Sequence, residues 1–198
     1  MTRQQSVFPL LVTRIMIVVS SVRPGRIGLP ISEWVRTAAE ARDGVEVDFV
    51  DLAELALPFM DEPNHPSQRA YTKQHTIDWS ARVDAADAVI LVTPEYNHSF
   101  SPALKNALDF LSQEWWRKPV GFVSYGGVSA GSRGVTALEP VTSMLGMVRA
   151  GAAVELPFAG RQVADGVFAA GEKETAILGK MLDEIEGLAP ALRPLQNR

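Results

Sequence analysis

A loop rich in hydroxyl and guanidinium groups lies near the start of the chain, at residues 20–28 (SSVRPGRIG). It carries two serines, two arginines and two glycines, and a helix is predicted to begin just beyond it, near Leu29 and Pro30. Arginine binds phosphate through paired, charge-assisted hydrogen bonds, and free amides at a helix start also attract anions. We therefore interpret the loop as a phosphate site. It matches neither GxGxxG nor GxxxxGK[ST], and a solvated turn is the alternative interpretation.

A second segment with chemical potential spans residues 93–109 (TPEYNHSFSPALKNALD). Its turn carries Tyr96 and Asn97, which offer a flat apolar surface and amide hydrogen bonds suited to a planar heterocycle. Each residue alone also has a structural explanation. Tyr96 could be a packing residue, Asn97 a turn residue and Glu95 a solvated carboxylate.

The elements that position these loops follow from the hydrophobic pattern. Five short apolar runs predict strands, namely Ile15–Ser20, Val45–Asp51, Ala88–Thr93, Val120–Tyr125 and Ala152–Leu156. Helical spacing of apolar residues between and after them predicts helices within residues 31–38, 77–86, 104–111, 133–148 and 178–188. This alternation favours a flavodoxin-like α/β three-layer sandwich, whose five-stranded parallel sheet has the order 2-1-3-4-5 with helices on both faces. In that order the loops after strands 1 and 3 face each other across the ligand crevice.

The chain is predicted to form a single domain, residues 1–198, because it has no internal repeat or shift in composition. Residues 1–13 are predicted to be a loose extension and residues 190–198 a loose tail. Pro140 is expected in the first turn of its helix or at a kink. The long loops at residues 58–71 and 157–171 are candidates for functional segments.

Composition excludes several classes of function. The chain has no cysteine and only three histidines, which argues against disulfides, thiolate metal sites, a cysteine nucleophile and a histidine-built metal site. The net charge of −4 offers no basic surface for nucleic acid. No run approaches the roughly 18 apolar residues of a membrane span. We therefore expect a cytoplasmic protein that binds neither nucleic acid nor membrane.

Three segments together resemble the NADPH-dependent FMN reductase family, flavodoxin-like flavoproteins that include quinone, azo-dye and chromate reductases. Residues 93–111 are similar to the family segment PEYNxSxPxxLKNAxD, and residues 20–28 resemble its GSxRxxS phosphate loop. Residues 123–131 (VSYGGVSAG) resemble its SYGGxxGG loop. The resemblance covers about residues 14–150. Two positions depart from it, since Ser20 stands where the family often has glycine and Arg26 where it often has serine.

The resemblance implies which residues hold FMN. The phosphate would contact the first loop, at Ser21, Arg23, Arg26 and the backbone near Gly28. The isoalloxazine ring would be lined by Pro94, Glu95, Tyr96 and Asn97, with the backbone of Tyr125, Gly126 and Gly127 under or beside it.

The resemblance also implies the chemistry. NADPH, or NADH, would give a hydride to FMN, and a quinone, azo compound, flavin or similar acceptor would then take the electrons in a ping-pong scheme. The cofactor carries this chemistry, so no side chain is assigned as a catalytic acid, base or nucleophile. A flavodoxin-type electron carrier without its own nicotinamide reaction is the main alternative, and a binding module without redox activity is a third class.

The resemblance further implies a homodimer or homotetramer. The adjacent Trp115 and Trp116, followed by Arg117 and Lys118, point the same way. Two neighbouring tryptophans in a short connection are hard to bury in one chain, and exposed aromatic residues beside arginine are typical of interfaces.

Overall fold

A parallel sheet of six strands in five positions forms the centre of the computed structural model, which describes residues 12–196. Strand β1 (Thr13–Val19) lies between β2 (Val45–Asp51) and β3 (Ala88–Pro94), and β4 (Pro119–Gly126) lies beyond β3. The predicted flavodoxin-like arrangement with the order 2-1-3-4-5 is thereby confirmed. Of the predicted N-terminal extension, residues 1–11 lie outside the described residues.

The fifth position of the sheet is divided between two short strands. Strand β5 (Val148–Arg149) pairs with the start of β4, and β6 (Val154–Pro157) pairs with its end. The predicted strand Ala152–Leu156 was therefore wrong at its first two residues, because β6 begins at Val154. The reason is a distant side chain, because the Glu184 carboxylate accepts hydrogen bonds from the amides of Gly151 and Ala152. Those amides consequently do not take part in the sheet.

Helices cover both faces of the sheet, as predicted. Helices α1 (Gly28–Glu40) and α6 (Glu172–Leu192) pack on one face. On the other face lie α2 (Leu52–Leu55), α3 (Gln74–Asp84), α4 (Pro102–Asp109) and α5 (Ser132–Met144). Side chains alternate along β1, so that Ile15 and Ile17 pack towards α1 and α6 while Met16 and Val18 pack towards the other layer. Burial on both faces explains the nearly continuous apolar runs.

Helix α5 differs from its prediction at its C-terminal end, and of the two predicted places for its proline the first turn is excluded. Pro140 lies in the middle of the helix, on its exposed side, and not in the first turn. The helix stops at Met144 because Gly146 adopts a left-handed conformation with φ of 75°. The Met147 amide then donates to the Thr142 carbonyl at 3.0 Å, which is the bonding of a Schellman cap.

The chain beyond Pro190 is ordered against the sheet rather than loose. Helix α6 continues through this proline to Leu192, and a short turn at Arg193–Leu195 follows. The Arg193 guanidinium donates to the Asp87 carboxylate at 2.8 Å. The prediction of a loose tail was therefore wrong for residues 190–196, and residues 197–198 lie outside the described residues. Neither α6 nor another helix within residues 12–196 has the length and apolar character needed to cross a membrane.

The two adjacent tryptophans do not form an exposed patch. Trp115 is 1% exposed, packs edge-on against Trp79 and donates from its indole nitrogen to the Leu108 carbonyl at 3.1 Å. Trp116 is half-buried, and the Arg117 guanidinium stacks on its ring. The interpretation of this pair as an interface centre was therefore wrong for Trp115, which belongs to the core.

The long loop at residues 58–71 is attached to the body of the protein at both ends. The Asn106 side chain donates to the Pro58 carbonyl at 2.7 Å and accepts from the Met60 amide at 3.1 Å. At the other end, the Tyr71 hydroxyl donates to the buried Glu114 carboxylate at 2.7 Å. Within the loop, Glu62 accepts hydrogen bonds from the amides just before α3. These contacts replace regular secondary structure as the source of order in the loop.

Acid is expected to weaken this attachment through Glu62. Burial alone would raise its pKa, but hydrogen bonds from the Thr72 and Lys73 amides lower the pKa from 4.5 to about 2. A lowered pKa stabilises the folded state fully above about pH 4.5, and this contribution is lost as the pH falls towards 2. Glu62→Gln should therefore reduce the free energy of unfolding at pH 7, as measured by urea unfolding. In this variant the free energy of unfolding should also decrease less between pH 4.5 and pH 2 than it does in the wild type. Glu40→Gln, at the exposed end of α1, is the control. If the stability of Glu62→Gln depended on pH in the same way as that of the wild type, the stabilising role given to the Glu62 carboxylate would be contradicted.

Candidate functional site

The loops after β1 and β3 meet at the carboxyl edge of the sheet. The Ser21 hydroxyl lies 2.7 Å from the Tyr96 hydroxyl, which joins the predicted phosphate loop to the predicted ring segment. Just below, the Ser101 hydroxyl donates to the Ser20 carbonyl at 2.5 Å and also caps α4. The topology thus brings two segments about 75 residues apart in sequence into one crevice, as the strand order predicted.

The loop at residues 20–28 presents free donors towards this crevice. Helix α1 begins at Gly28 without a side-chain cap, so the amides of its first turn have no partner within the helix. Arg23 is exposed, and it is the one arginine among the described residues that has neither an ion pair nor an aromatic partner. An unpaired cation next to a helix N-terminus is suited to an anionic group.

Arg26, by contrast, is already engaged. Its guanidinium forms an ion pair with Asp51, whose side chain is almost completely buried at the end of β2. The other oxygen of Asp51 accepts from the Ala53 amide at 2.9 Å and caps α2. The Nε atom of Arg26 is buried and has no hydrogen-bond partner among the described residues. Asp51 therefore fixes Arg26 at the β2 side of the loop.

Tyr125 reaches from the end of β4 to the first turn of α1. A Cβ atom placed on Gly28 would lie 2.4 Å from its hydroxyl oxygen, so glycine leaves room for the tip of this side chain. The hydroxyl is buried without a hydrogen-bond partner among the described residues. Burial raises the pKa of Tyr125 well above its usual value, which keeps the phenol protonated and able to donate. The resemblance predicted that Tyr125 contributes its backbone to the ring site. The sequence did not indicate that its side chain reaches the first turn of α1.

Tyr96 and Asn97 lie on a tight two-residue turn. The Tyr96 amide donates to the Ser99 carbonyl at 2.8 Å, and the Ser99 amide donates back to the Tyr96 carbonyl at 2.9 Å. Between them, Asn97 and His98 have φ values of 49° and 65°, as a type I′ turn requires. Asparagine tolerates this conformation better than most residues, so Asn97 has a conformational role besides any contact with a ligand.

Glu95 faces another loop rather than open space. Its carboxylate accepts from the Arg133 Nε atom at 2.6 Å and from the Ser129 hydroxyl at 2.8 Å. Burial alone would raise the pKa of Glu95, but these two donors lower it, so the carboxylate is ionised. Glu95 therefore ties the turn after β3 to the start of α5, and its predicted contact with the ring stays a prediction.

The glycines at the end of β4 and in the loop after it are placed for two different reasons. Gly131 has φ of 86°, and a Cβ atom there would lie 2.7 Å from the Tyr125 amide nitrogen. A Cβ atom on Gly126 would lie 3.0 Å from the Gly131 nitrogen, whereas one on Gly127 would meet nothing within 4 Å. No described residue accepts a hydrogen bond from the Gly127 amide. Gly127 thus leaves an open stretch of main chain that a planar ligand could approach.

The structure brings most of the predicted residues together and adds others. Ser21, Gly28, Tyr96 and Tyr125 form one continuous set of contacts, and Pro94 lies buried at the end of β3. Sequence reasoning missed the partners that hold Arg26 and Glu95, namely Asp51, Ser129 and Arg133. One signal was present for Asp51, since it ends a predicted strand at the same edge of the sheet. Within residues 12–196, no group of three or more histidine, aspartate or glutamate side chains is placed to hold a metal ion.

Comparison with known proteins shows which family this chain belongs to. The sequence profile of the family described as NADPH-dependent FMN reductase matches residues 13–160. An NAD(P)H-dependent FMN reductase of Nectria sp is 32% identical over 195 residues, covering 88% of this chain and 96% of that protein. A second NAD(P)H-dependent FMN reductase, from Saccharomyces cerevisiae, is 35% identical over 156 residues, covering 73% and 81% respectively. An FMN-dependent NADPH-azoreductase of Staphylococcus haemolyticus is 29% identical over 143 residues, covering 72% of each chain.

Among solved structures, FerB from Paracoccus denitrificans, described as a flavoenzyme NAD(P)H:(acceptor) oxidoreductase, has the same fold. Its TM-score is 0.71 at 21% sequence identity, and the match covers 91% of this chain and 99% of that one. At this identity the likeness supports the architecture alone.

Proposed function

Because this chain belongs to the NADPH-dependent FMN reductase family, we propose that the crevice between its three loops holds FMN for NAD(P)H-dependent reduction of a small acceptor. The observation that carries the site assignment is the 2.7 Å contact between the Ser21 and Tyr96 hydroxyls. This contact joins the part of the crevice proposed for the phosphate to the part proposed for the ring, so that one ligand can occupy both.

The residues present suit the phosphate of FMN. Arg23 supplies an unpaired cation, the first turn of α1 supplies free amides, and Ser21 supplies a hydroxyl. The buried Tyr125 hydroxyl, which has no partner among the described residues, lies directly beneath this loop. Arg26, held by Asp51, adds a second guanidinium whose charge is already balanced. We therefore assign the main electrostatic attraction for the phosphate to Arg23.

The other end of the crevice suits a planar ring. Tyr96 supplies an aromatic surface, Asn97 an amide, and Gly127 an open stretch of backbone. The ion pair between Glu95 and Arg133 ties the turn after β3 to the start of α5. We propose that Glu95 acts on the ring site through this positioning.

When bound, FMN would supply the redox chemistry that links NAD(P)H oxidation to reduction of the acceptor. The protein would bind and orient the cofactor, and the free Gly127 amide would offer a hydrogen-bond donor to its ring. No side chain is assigned as an acid or base. Quinones, azo compounds, flavins and similar small molecules are the proposed acceptors, and NADPH or NADH is the proposed donor.

The direct test uses the purified full chain. It should take up FMN at micromolar concentration and, without another protein, oxidise NADPH or NADH with a quinone or azo dye. Binding of FMN without this oxidation would favour a flavodoxin-type carrier. Failure to bind FMN would favour a module without redox activity.

We further propose that the protein is cytoplasmic and forms a homodimer or homotetramer.

Removal of both ring-contact side chains should change the bound flavin but not the fold. Tyr96→Ala with Asn97→Gly deletes the aromatic surface and the amide, while glycine keeps the positive φ that the turn needs. We expect a shifted visible absorption band and FMN binding weakened roughly tenfold, or about 1.4 kcal/mol. Asn97→Gly alone is the control for the turn, and circular dichroism checks the fold. A folded holoprotein with an unaltered spectrum would remove both residues from the ring site.

A further inference from the structure

The long loop at residues 157–171 carries an exposed aromatic side chain with an arginine stacked on it. Phe158 is 46% exposed, and the Arg161 guanidinium lies 4.7 Å from the centroid of its ring. We call these two residues the Phe158–Arg161 pair. Arg161 is exposed, and no carboxylate among residues 12–196 forms an ion pair with it. Its charge and its hydrogen-bond donors are therefore available to a ligand.

The backbone of Phe158 has a conformation that is unfavourable for its residue type. Its φ is 50°, in the left-handed region, where a bulky aromatic residue is an outlier. Its amide donates to the Gly126 carbonyl at 2.9 Å, and its carbonyl accepts from the Arg161 amide at 2.9 Å, so the backbone is held on both sides. A glycine would meet this requirement at lower cost. The presence of a phenyl ring at a strained position therefore indicates a role for the ring itself.

The rest of the loop fixes the pair in place. Strands β7 (Val163–Ala164) and β8 (Val167–Phe168) form a short antiparallel hairpin directly after it. Phe168 is buried, and its ring packs edge-on against Trp34 of α1 with the centroids 5.3 Å apart. Ala159, between the two residues of the pair, is 1% exposed. The pair thus projects from a segment that is anchored to the core before and after Arg161.

The same segment contacts both loops of the proposed FMN crevice. The Phe158 amide bonds the Gly126 carbonyl, directly before the open main chain at Gly127. On its other side, a Cβ atom on Gly160 would lie 3.9 Å from the Ile27 side chain, which belongs to the phosphate loop. The pair is not among the residues assigned to FMN, but it borders them. It is therefore placed to contact a second ligand that meets bound FMN, and in the reaction proposed above that ligand is the nicotinamide nucleotide.

The chemistry of the pair fits one end of such a nucleotide. A guanidinium can stack on a flat ring while its edge donates paired hydrogen bonds to phosphate. Arginine accommodates the 2′-phosphate that distinguishes NADP from NAD, whereas a carboxylate usually accepts the 2′-hydroxyl of NAD. Arg161 provides the guanidinium and has no carboxylate within ion-pair distance among the described residues. The pair therefore favours the phosphorylated nucleotide.

We propose that the Phe158–Arg161 pair binds the adenosine 2′-phosphate end of NADPH. Arg161 donates to the 2′-phosphate and stacks on the adenine, and Phe158 supports the other face of the guanidinium. This rests on the proposed function, because it takes NAD(P)H as the electron donor. It goes further by naming the residues that select NADPH over NADH.

Binding of adenosine 2′,5′-bisphosphate to the full chain, measured by calorimetry with and without FMN, tests the pair without any redox reaction. Arg161→Gln should weaken this binding roughly tenfold or more, because a charge-assisted bond is lost, and should leave the weaker binding of adenosine 5′-monophosphate unchanged. Arg117→Gln is the matched control. Arg117 is also exposed and stacks on Trp116 at 4.7 Å, but it lies just before β4, at the opposite edge of the sheet.

Three results of this titration would overturn the proposal. They are the absence of wild-type binding at millimolar bisphosphate, equal binding by Arg161→Gln and the wild type, and equal losses in Arg161→Gln and Arg117→Gln. Weaker FMN binding in Arg161→Gln with unchanged nucleotide binding would place Arg161 in the FMN site and would also overturn it. Failure of the wild type to bind FMN, with nucleotide binding intact, would count against the proposed function alone.

Phe158→Asn separates a role in binding from a role in folding. Asparagine tolerates a positive φ, so the urea midpoint of the apoprotein should stay close to that of the wild type. Binding of adenosine 2′,5′-bisphosphate should nevertheless weaken, because the guanidinium loses the ring that supports it. A large loss of stability with unchanged nucleotide binding would assign Phe158 to the fold and contradict its part in the site.

Steady-state kinetics of the FMN-loaded protein give a second readout. The ratio of kcat/KM for NADPH to kcat/KM for NADH should fall roughly tenfold or more in Arg161→Gln, mainly through a higher KM for NADPH. The same ratio in Arg117→Gln should equal that of the wild type. A ratio that does not change in Arg161→Gln would show that this arginine does not select the donor.

Discussion

Replacing Arg23 with alanine is expected to weaken FMN binding by about 1.5–3 kcal/mol, which is roughly 10- to 150-fold in Kd. Arg23 is exposed in the proposed phosphate loop and lacks the ion pairs that occupy most other arginines of residues 12–196. Its positive charge is therefore available to a ligand. A charge-assisted hydrogen bond to phosphate is lost in the variant, and no neighbouring carboxylate is left unpaired by the change.

Riboflavin separates this effect from a general disturbance of the site. It lacks the phosphate, so Arg23→Ala should leave its affinity nearly unchanged while FMN affinity falls. Arg36→Ala is the matched control, since Arg36 lies further along α1 and is paired with Glu33. Titration by flavin fluorescence at one fixed salt concentration measures all three proteins. Equal FMN affinity in Arg23→Ala and the wild type would refute the phosphate assignment.

Replacing Gly131 with alanine is expected to destabilise the protein by about 3 kcal/mol or more. Two costs add, because φ of 86° is strained for alanine and the new Cβ atom would lie 2.7 Å from the Tyr125 amide nitrogen. Two of the three nearest atoms are backbone atoms of Tyr125 in β4, which cannot move without disturbing the pairing of β4 with the neighbouring strands. Urea unfolding of the apoprotein measures the change.

Gly127→Ala is the matched comparison within the same loop. Its Cβ atom would enter open space, so the stability of the apoprotein should change by less than about 0.5 kcal/mol. FMN affinity should nevertheless fall, because the added methyl group occupies the surface that the ring is proposed to approach. Equal stability losses in the two variants would contradict the conformational argument. Unchanged FMN affinity in Gly127→Ala would show that the ring does not approach this loop.

The strand order was predictable because the information is local. Each strand is a short apolar run, each helix has its own stripe, and right-handed crossovers leave few ways to connect them. The edge strand was less predictable. Its interruption depends on Glu184, which lies about 30 residues further along the chain and binds the amides of Gly151 and Ala152.

The same distinction applies to the site. The loops that carry Ser21 and Tyr96 could be identified because each is a continuous segment with recognisable residue types, and the order of the strands places them together. The ion-pair and hydrogen-bond partners of the individual side chains could not be identified in this way. Asp51 engages Arg26, Arg133 engages Glu95, and these partners lie between 25 and 38 positions apart.

The sequence by itself determined the layers of the fold, the order of its strands and the three loops that form the crevice, because periodicity, turn residues and motifs are properties of contiguous segments. Only the tertiary structure decided which arginine is free, that Trp115 is buried, and that Phe59 is exposed. Burial and pairing depend on distances between segments that are remote along the chain. Neighbours in sequence, such as Trp115 and Trp116, can therefore have very different environments.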